Sequence, residues 1–368
     1  MSNEKITFIF TKGRSIRLHD DESAKEFLYS YHYFEKNFEG SELFEYQEND
    51  NESRFLKFLD KVLRKMTGLP FYTQERPNKY QKKIISEGNY LVYTNHRHGL
   101  SYLPYFFFKK RDQNLSIIVM GLIKDSYGNK IQNYLASFLL NILFKVYDNL
   151  IFLSNGEFEK GISKFSKYKN KFYFLPFSID TDFWITSKDT IDKEFVLFIG
   201  NDGNREYEKV VKLVNEMKDY SFLLVTSKIN IEEIKNEKCQ LIDGNWLENK
   251  YSDSDIKKLY EQAKITILPL KESLQPSGQS VALQSMSMKV PVMITATEGF
   301  WDYSKFDDKK NIYFVEDNDI NLWKTSIENL LHNDELLKRI STNAYATVQE
   351  NYKLEEFYKG IKKILKVT

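Results

Sequence analysis

Residues Leu268 to Pro291 read LPLKESLQPSGQSVALQSMSMKVP, and this stretch decides the fold. An apolar strand ends at Leu268, a loop holding Pro276 and Gly278 follows, and a helix starts near Ser280. Val281, Ala282, Leu283, Met286 and Met288 form the apolar side of that helix. A strand that passes through a short loop into a helix is the repeating half-unit of a parallel α/β sheet. The loop Pro276-Ser277-Gly278-Gln279-Ser280 brings backbone N–H groups and hydroxyls to a helix N-terminus, a physically sound seat for a phosphate or diphosphate. Ordinary capping by Ser277 or Ser280, with Gly278 turning the chain, accounts for the same residues.

Working outward, the same alternation fills the chain. Ile6–Thr11, Tyr90–Thr94, Leu115–Met120, Asn149–Leu153 and Phe172–Leu175 are short apolar runs closed by polar or Gly-containing loops, as buried parallel strands are. A polar break, Thr186 to Lys193, separates them from a second series: Phe195–Ile199, Ser221–Thr226, Gln240–Gly244, Ile265–Leu268 and Val292–Thr295. Between the early strands, the charged region Glu42–Arg54 reads as an exposed loop or helix start. Ser53–Thr67 sets Phe55, Phe58, Leu59, Val62, Leu63 and Met66 at helical spacing. The expectation is two consecutive open α/β units. In such sheets ligands sit beyond the carboxyl ends of the strands. Lys12, Gly13 and Arg14 follow the first strand, and His96 and His98 follow Tyr90–Thr94. Gly200 to Tyr207 (GNDGNREY) follows Phe195–Ile199, and Glu298-Gly299 follows Val292–Thr295. In the third of these loops Gly200 permits close backbone approach and Arg205 can pair with a phosphate bidentately. The loop lacks both the dinucleotide fingerprint and the Lys-Ser or Lys-Thr of a P-loop.

Composition sets the outer limits. The chain has 368 residues, with 42% hydrophobic and 29% charged, a balance that folds and suits two domains. Its 53 Lys and Arg nearly cancel 52 Asp and Glu, for a formal charge of +1, which argues against a nucleic-acid binder. The single cysteine, Cys239, cannot form an intrachain disulfide, which suits a reducing cytoplasm; it reads as a small buried residue of a strand. No zinc spacing appears among the five histidines and one cysteine. Asp180-Thr181-Asp182 has the spacing of a metal-binding pair but reads better as linker, so no metal is assigned. The N-terminus does not read as a signal peptide and no apolar run reaches a membrane span. Aromatics reach 15%. Tyr102–Arg111 (YLPYFFFKKR) and Tyr134–Lys145 (YLASFLLNILFK) could rest on lipid headgroups at the inner face of a membrane, but core-facing helices are the favoured reading of both.

Three segments together carry a family resemblance. LPFSIDTDFW (Leu175–Trp184) looks like an interdomain segment, GNDGNREYEKVVKLV like the opening of a donor domain, and PSGQSVALQSMSMKVPVMITATEGFWD like a donor-site signature. In these the chain resembles the GT-B glycosyltransferases of the family-4 type, most strongly from about Asn149 onward. The resemblance implies two Rossmann-like domains with an interdomain cleft. Residues 1–184 would form the acceptor domain and residues 185–350 the nucleotide-sugar domain, with the helix in 351–368 crossing back to the first. One departure stands out: the family has two glutamates in the signature where this chain has Pro276 and Gln284. Gln284 can still hydrogen-bond a ribose diol; the lost first glutamate bears on which sugar is held.

The resemblance implies a transferase of the hexosyl class that moves a sugar from a nucleoside diphosphate sugar to a glycan, lipid-linked or protein acceptor, with retention at the anomeric carbon. The donor is a substrate, and no cofactor is called for. Arg205, and with it Lys209, would meet the diphosphate. Ser277, Gly278, Gln279 and Ser280 would add the helix terminus. Asn201 would lie near the phosphate or sugar and Gln284 near the ribose. Glu298 and Gly299 would line the same site. Lys12, Gly13 and Arg14 would contact donor phosphate or acceptor, an exposed basic turn being the competing account. His96 or His98 would stand near the reacting sugar, with simple loop hydrogen bonding as the alternative. Two other readings stay open: a non-catalytic GT-B-like binding or partner subunit, and a nucleotide-sugar epimerase of similar fold.

Overall fold

The computed structural model describes residues 4–46, 54–72, 79–107, 112–186, 193–244 and 251–367. The polar break at 187–192, residues 47–53 of the early charged region and the end of the aromatic run at 108–111 lie outside them. The chain forms two compact units. The first comprises Met1–His19, Phe27–Pro176 and Phe357–Thr368, and the second Asp20–Glu26 and Phe177–Glu356.

The first unit is built on six parallel strands: β1 Ile6–Phe10, β2 Ser41–Glu45, β3 Tyr90–Tyr93, β4 Asn114–Val119, β5 Asn149–Phe152 and β6 Phe172–Phe174. Their order is β2-β1-β3-β4-β5-β6. All five residues of β1 and all four of β5 are buried, which is why the apolar runs do not alternate. Five of the six strands are the runs read from the sequence. The sixth, β2 (SELFE), falls within the region expected to be loop or helix start. It pairs with β1 in parallel, Ile6 opposite Ser41 through Phe10 opposite Glu45. As an edge strand it buries only Phe44, so charge on its open side costs little and hides its pattern.

The second unit has its own six-stranded parallel sheet: β7 Phe195–Ile199, β8 Phe222–Val225, β9 Cys239–Ile242, β10 Ala263–Leu268, β11 Val292–Thr295 and β12 Tyr313–Val315. The order β12-β11-β10-β7-β8-β9 is that of a doubly wound nucleotide-binding sheet. Its core joins Val196, Phe198, Leu224, Ile265, Ile267 and Met293 from the strands to Val210, Leu213, Trp323 and Ile327 from the helices. Cys239, expected to be buried, opens β9 half-buried, its thiol pushed up to about 12 by desolvation. Each sheet reverses direction at one place, between β1 and β3 in the first unit and between β7 and β10 in the second. The loops leaving those strand ends are the ones singled out in the sequence.

Candidate nucleotide-sugar site

In the second unit the loops after β7 and β10 are laced together. Arg205 bridges Leu270 in antiparallel fashion, Glu206 N–H donates to the Pro269 carbonyl (3.0 Å) and Lys271 N–H to the Asn204 carbonyl (2.9 Å). Asn204 Nδ2 adds a bond to Ser277 Oγ at 2.8 Å. The second loop ends at Gly278, which has φ of +75° and stands at the N-cap of the helix Gln279–Ser287, where it brings no side chain of its own. A side chain at that φ would be strained, so glycine is favoured.

These loops enclose Arg205. Its side chain is 2% exposed, and an ion pair to Asp202 Oδ2 spans 3.4 Å. Among the described residues Nε and Nη1 have no hydrogen-bond partner. The guanidinium is wedged between two glycines: a Cβ on Gly200 would come within 2.5 Å of Nε, and one on Gly278 within 3.2 Å of Nη1. Burial lowers the pKa of the guanidinium, opposed by the charge on Asp202, yet it remains a cation at neutral pH. A buried cation with unsatisfied N–H groups beside a helix N-terminus that has glycine at its N-cap suits an anion.

The other expected residues fall as follows. Asn201 spends its side chain on the loop: Oδ1 accepts from Ser227 N–H (2.7 Å) and Thr226 Oγ1 (3.0 Å), and Nδ2 donates to the Gly244 carbonyl. Lys209 is exposed on the first turn of the helix Tyr207–Glu216. Gln279 is buried and Ser280 half-buried at the helix start. Glu298 is exposed, its N–H donating to Glu272 Oε1 at 2.8 Å, while Gly299 packs on the backbone of Ser273 and Leu274.

Gln284 sits deeper. Its Nε2 donates to Glu26 Oε1 (2.7 Å) and its Oε1 accepts from Tyr260 Oη (3.1 Å). Glu26 Oε1 also accepts from Trp184 Nε1 at 2.9 Å, while its Oε2 is buried with no hydrogen-bond partner among the described residues. Desolvation pushes the Glu26 carboxyl up to about 7. No local pattern marks Glu26, which lies 258 positions before Gln284.

In the first unit, Lys12 and Gly13 are exposed beyond β1, and Arg14 lies over the Phe27 ring at 5.1 Å. His96 and His98 open the helix His96–Phe107 beyond β3, where strand order reverses. Burial, reinforced by Arg97, holds His98 down at about 4, and burial with Arg97, Lys124 and His98 holds His96 at about 3. Both are therefore neutral at pH 7. Among the described residues no group of three His, Cys, Asp or Glu side chains is placed to hold a metal.

Residues 189–347 match the family model described as Glycosyl transferases group 1. No curated protein matches the chain. Among solved structures, the fold is similar to that of a glycosyltransferase from Rickettsia africae, at 14% identity over 100% of both chains with a TM-score of 0.65. It is also similar to Anabaena Alr3699/HepE in complex with UDP-glucose, at 12% identity, 98% of this chain, 99% of that one and a TM-score of 0.67. Sucrose-phosphate synthase from Thermosynechococcus elongatus gives 11% identity, 99% and 98% coverage and a TM-score of 0.71. The second unit thus holds the stretch similar to the glycosyl transferases group 1 model, on a chain whose two-domain Rossmann-like fold is that of GT-B glycosyltransferases.

Proposed function

We propose that the protein is a retaining glycosyltransferase that moves a hexosyl unit from a nucleoside diphosphate sugar to a glycan or glycoconjugate acceptor. The observation that carries this reading is the Arg205 guanidinium, buried against Gly200 and Gly278 with unsatisfied N–H groups beside the N-terminus of a helix. Departure of the diphosphate limits such a transfer, and charge leaving the anomeric carbon accumulates on its oxygens. A fixed cation and oriented N–H groups stabilise that charge more in the transition state than in the donor. No metal is needed in this scheme, because Arg205 supplies the positive charge. His96 and His98, held neutral, would serve as hydrogen-bonding partners for a sugar hydroxyl and not as cations.

The test is thermal shift with UDP, GDP, ADP, CMP and their sugar conjugates, comparing the protein with Arg205→Ala. UDP comes first because Anabaena HepE was solved with UDP-glucose. A diphosphate that binds the folded state raises the melting temperature by mass action. The shift should vanish in Arg205→Ala, and turnover should fall about 100- to 1,000-fold. Absence of a shift with every nucleotide would overturn the reading. Retention is checked separately by the anomeric configuration of the first product by NMR.

A second reading, a donor-binding subunit without catalysis, is favoured by one observation. Both ends of the Gln284 amide, at the position resembling the ribose-binding glutamate, are engaged by Glu26 and Tyr260. Nucleotide binding without transfer or donor hydrolysis would support it.

A further inference from the structure

Six of the twelve large apolar side chains exposed among the described residues lie on two helices of the first unit. The helix Arg54–Thr67 exposes Phe55 (66%), Phe58 (61%) and Met66 (47%); the helix Lys130–Val146 exposes Ile131 (70%), Tyr134 (73%) and Phe138 (55%). Single exposed hydrophobics are ordinary, whereas a cluster on adjoining elements marks an interaction surface. The helices adjoin: Gln132 Nε2 donates to the Lys65 carbonyl at 2.8 Å, joining the end of the first to the start of the second.

Charge identifies the occupant. Phe55, Phe58, Val62 and Met66 recur at three- and four-residue steps and share one side of the first helix. Arg54, Lys57, Lys61 and Lys65 follow the same steps beside them and are all exposed. Lys130 and Lys145 are exposed near the ends of the second helix, which contains no acidic residue. The sole acid of the first helix, Asp60, is buried. Neither helix therefore presents an exposed carboxylate beside its cations. Asp125, on the nearby loop, is paired with Lys160. Among the described residues no helix is long and apolar enough to cross a membrane.

We infer that this face of the first unit docks on an anionic lipid bilayer. Phe55, Phe58, Tyr134 and Phe138 would enter the headgroup boundary, and the lysine stems would lie along it with their ammonium groups among the lipid phosphates. Among the described residues this helix face of aromatic side chains is bordered by exposed cations, which fits an anionic interface better than a neutral one. The inference does not depend on the donor site, which belongs to the second unit.

The experiment is flotation of the full chain with phosphatidylglycerol–phosphatidylcholine vesicles and with phosphatidylcholine vesicles alone. The protein should float with the anionic vesicles and partition at least about tenfold less onto the neutral ones, or onto anionic ones at high salt. Lys61→Glu with Lys65→Glu, and separately Phe58→Ser with Phe138→Ser, should each lower partitioning by at least about tenfold, with the nucleotide-induced thermal shift unchanged. If the aromatic pair lowers the melting temperature, the lysine pair, exposed on the helix surface, carries the test. Failure of the unaltered protein to float with anionic vesicles, or equal flotation of the lysine variant, overturns the proposal. A dimer that Phe58→Ser with Phe138→Ser dissolves, without vesicle binding, would assign the face to a second copy and likewise overturn it.

Discussion

Arg205 and Glu26 are both buried ionisable groups of the second unit, and burial acts on them in opposite ways. Arg205 keeps its charge; Glu26 responds by holding its proton up to about 7. Since its ordinary value is 4.5, the folded state binds more protons than the unfolded one between these limits. Stability from this group is complete below about 4.5 and is lost as pH rises to about 7, by roughly 3 kcal/mol in order of magnitude. Glu26→Gln keeps an oxygen acceptor for Trp184 and Gln284 while removing the charge. Its melting temperature should therefore exceed that of the unaltered protein at pH 8 and nearly match it at pH 5; parallel curves across that range would refute the assignment. The histidines make a second prediction. Held at about 3 and 4, His96 and His98 do not titrate between pH 5.5 and 8. Turnover across that interval should show no inflection from either, as a pH–rate profile of His98→Asn beside the unaltered protein would reveal. Arg205 was legible because a strand end, two glycines and a cation fall within a few residues. Glu26 was not, because only the folded chain brings it to Gln284.

At the scale of elements, the ends of β7 and β10 do the positioning, and each depends on a glycine. Gly200→Ala would drive a methyl into Arg205 Nε, which has no room to yield without moving the guanidinium. Gly278→Ala adds a milder contact with Nη1 and strain at φ of +75°. Each should cost about 1 to 3 kcal/mol of stability. KM for the donor should rise more in Gly200→Ala than in Gly278→Ala; steady-state kinetics and chemical denaturation on both variants check this order. The ten strands legible in the sequence are apolar runs closed by polar or glycine-bearing loops. Of the other two, β2 lacks that signal because it is an edge strand carrying glutamates, whereas β12 bears it, Ile312–Val315 closed by Glu316-Asp317, and stands outside the series read from the sequence. The apolar stretch Tyr134–Lys145 was expected to be core-facing. Leu140, Leu143 and Phe144 are buried as expected, but Tyr134 and Phe138 lie on the opposite side of the helix and are exposed. Hydrophobicity alone does not tell which face of a helix a core will use.

Across the whole molecule, the division falls at Pro176–Phe177, ahead of the polar break that suggested it, and it is not a single cut. Asp20–Glu26 joins the second unit, and Phe357–Thr368 joins the first. There Tyr358 stacks on Tyr33 at 5.6 Å and meets Phe34 edge-on at 4.7 Å, while Phe357 meets Tyr29 at 6.1 Å. Ending the chain before Leu354 should uncover these rings, lower the melting temperature and raise binding of a hydrophobic dye. The polar break pointed to two successive units; the return of the C-terminal helix was implied by the family resemblance alone, and nothing in the sequence marks the excursion of Asp20–Glu26.

That return has a consequence during synthesis. A ribosome delivers the chain from its N-terminus, and most proteins of this size fold one unit at a time as they emerge. Here the first unit lacks the segment Phe357–Thr368 until after every residue of the second unit has been made. The second unit, complete at Glu356, is free to settle before its predecessor. In translation order, the half that is made first is finished last.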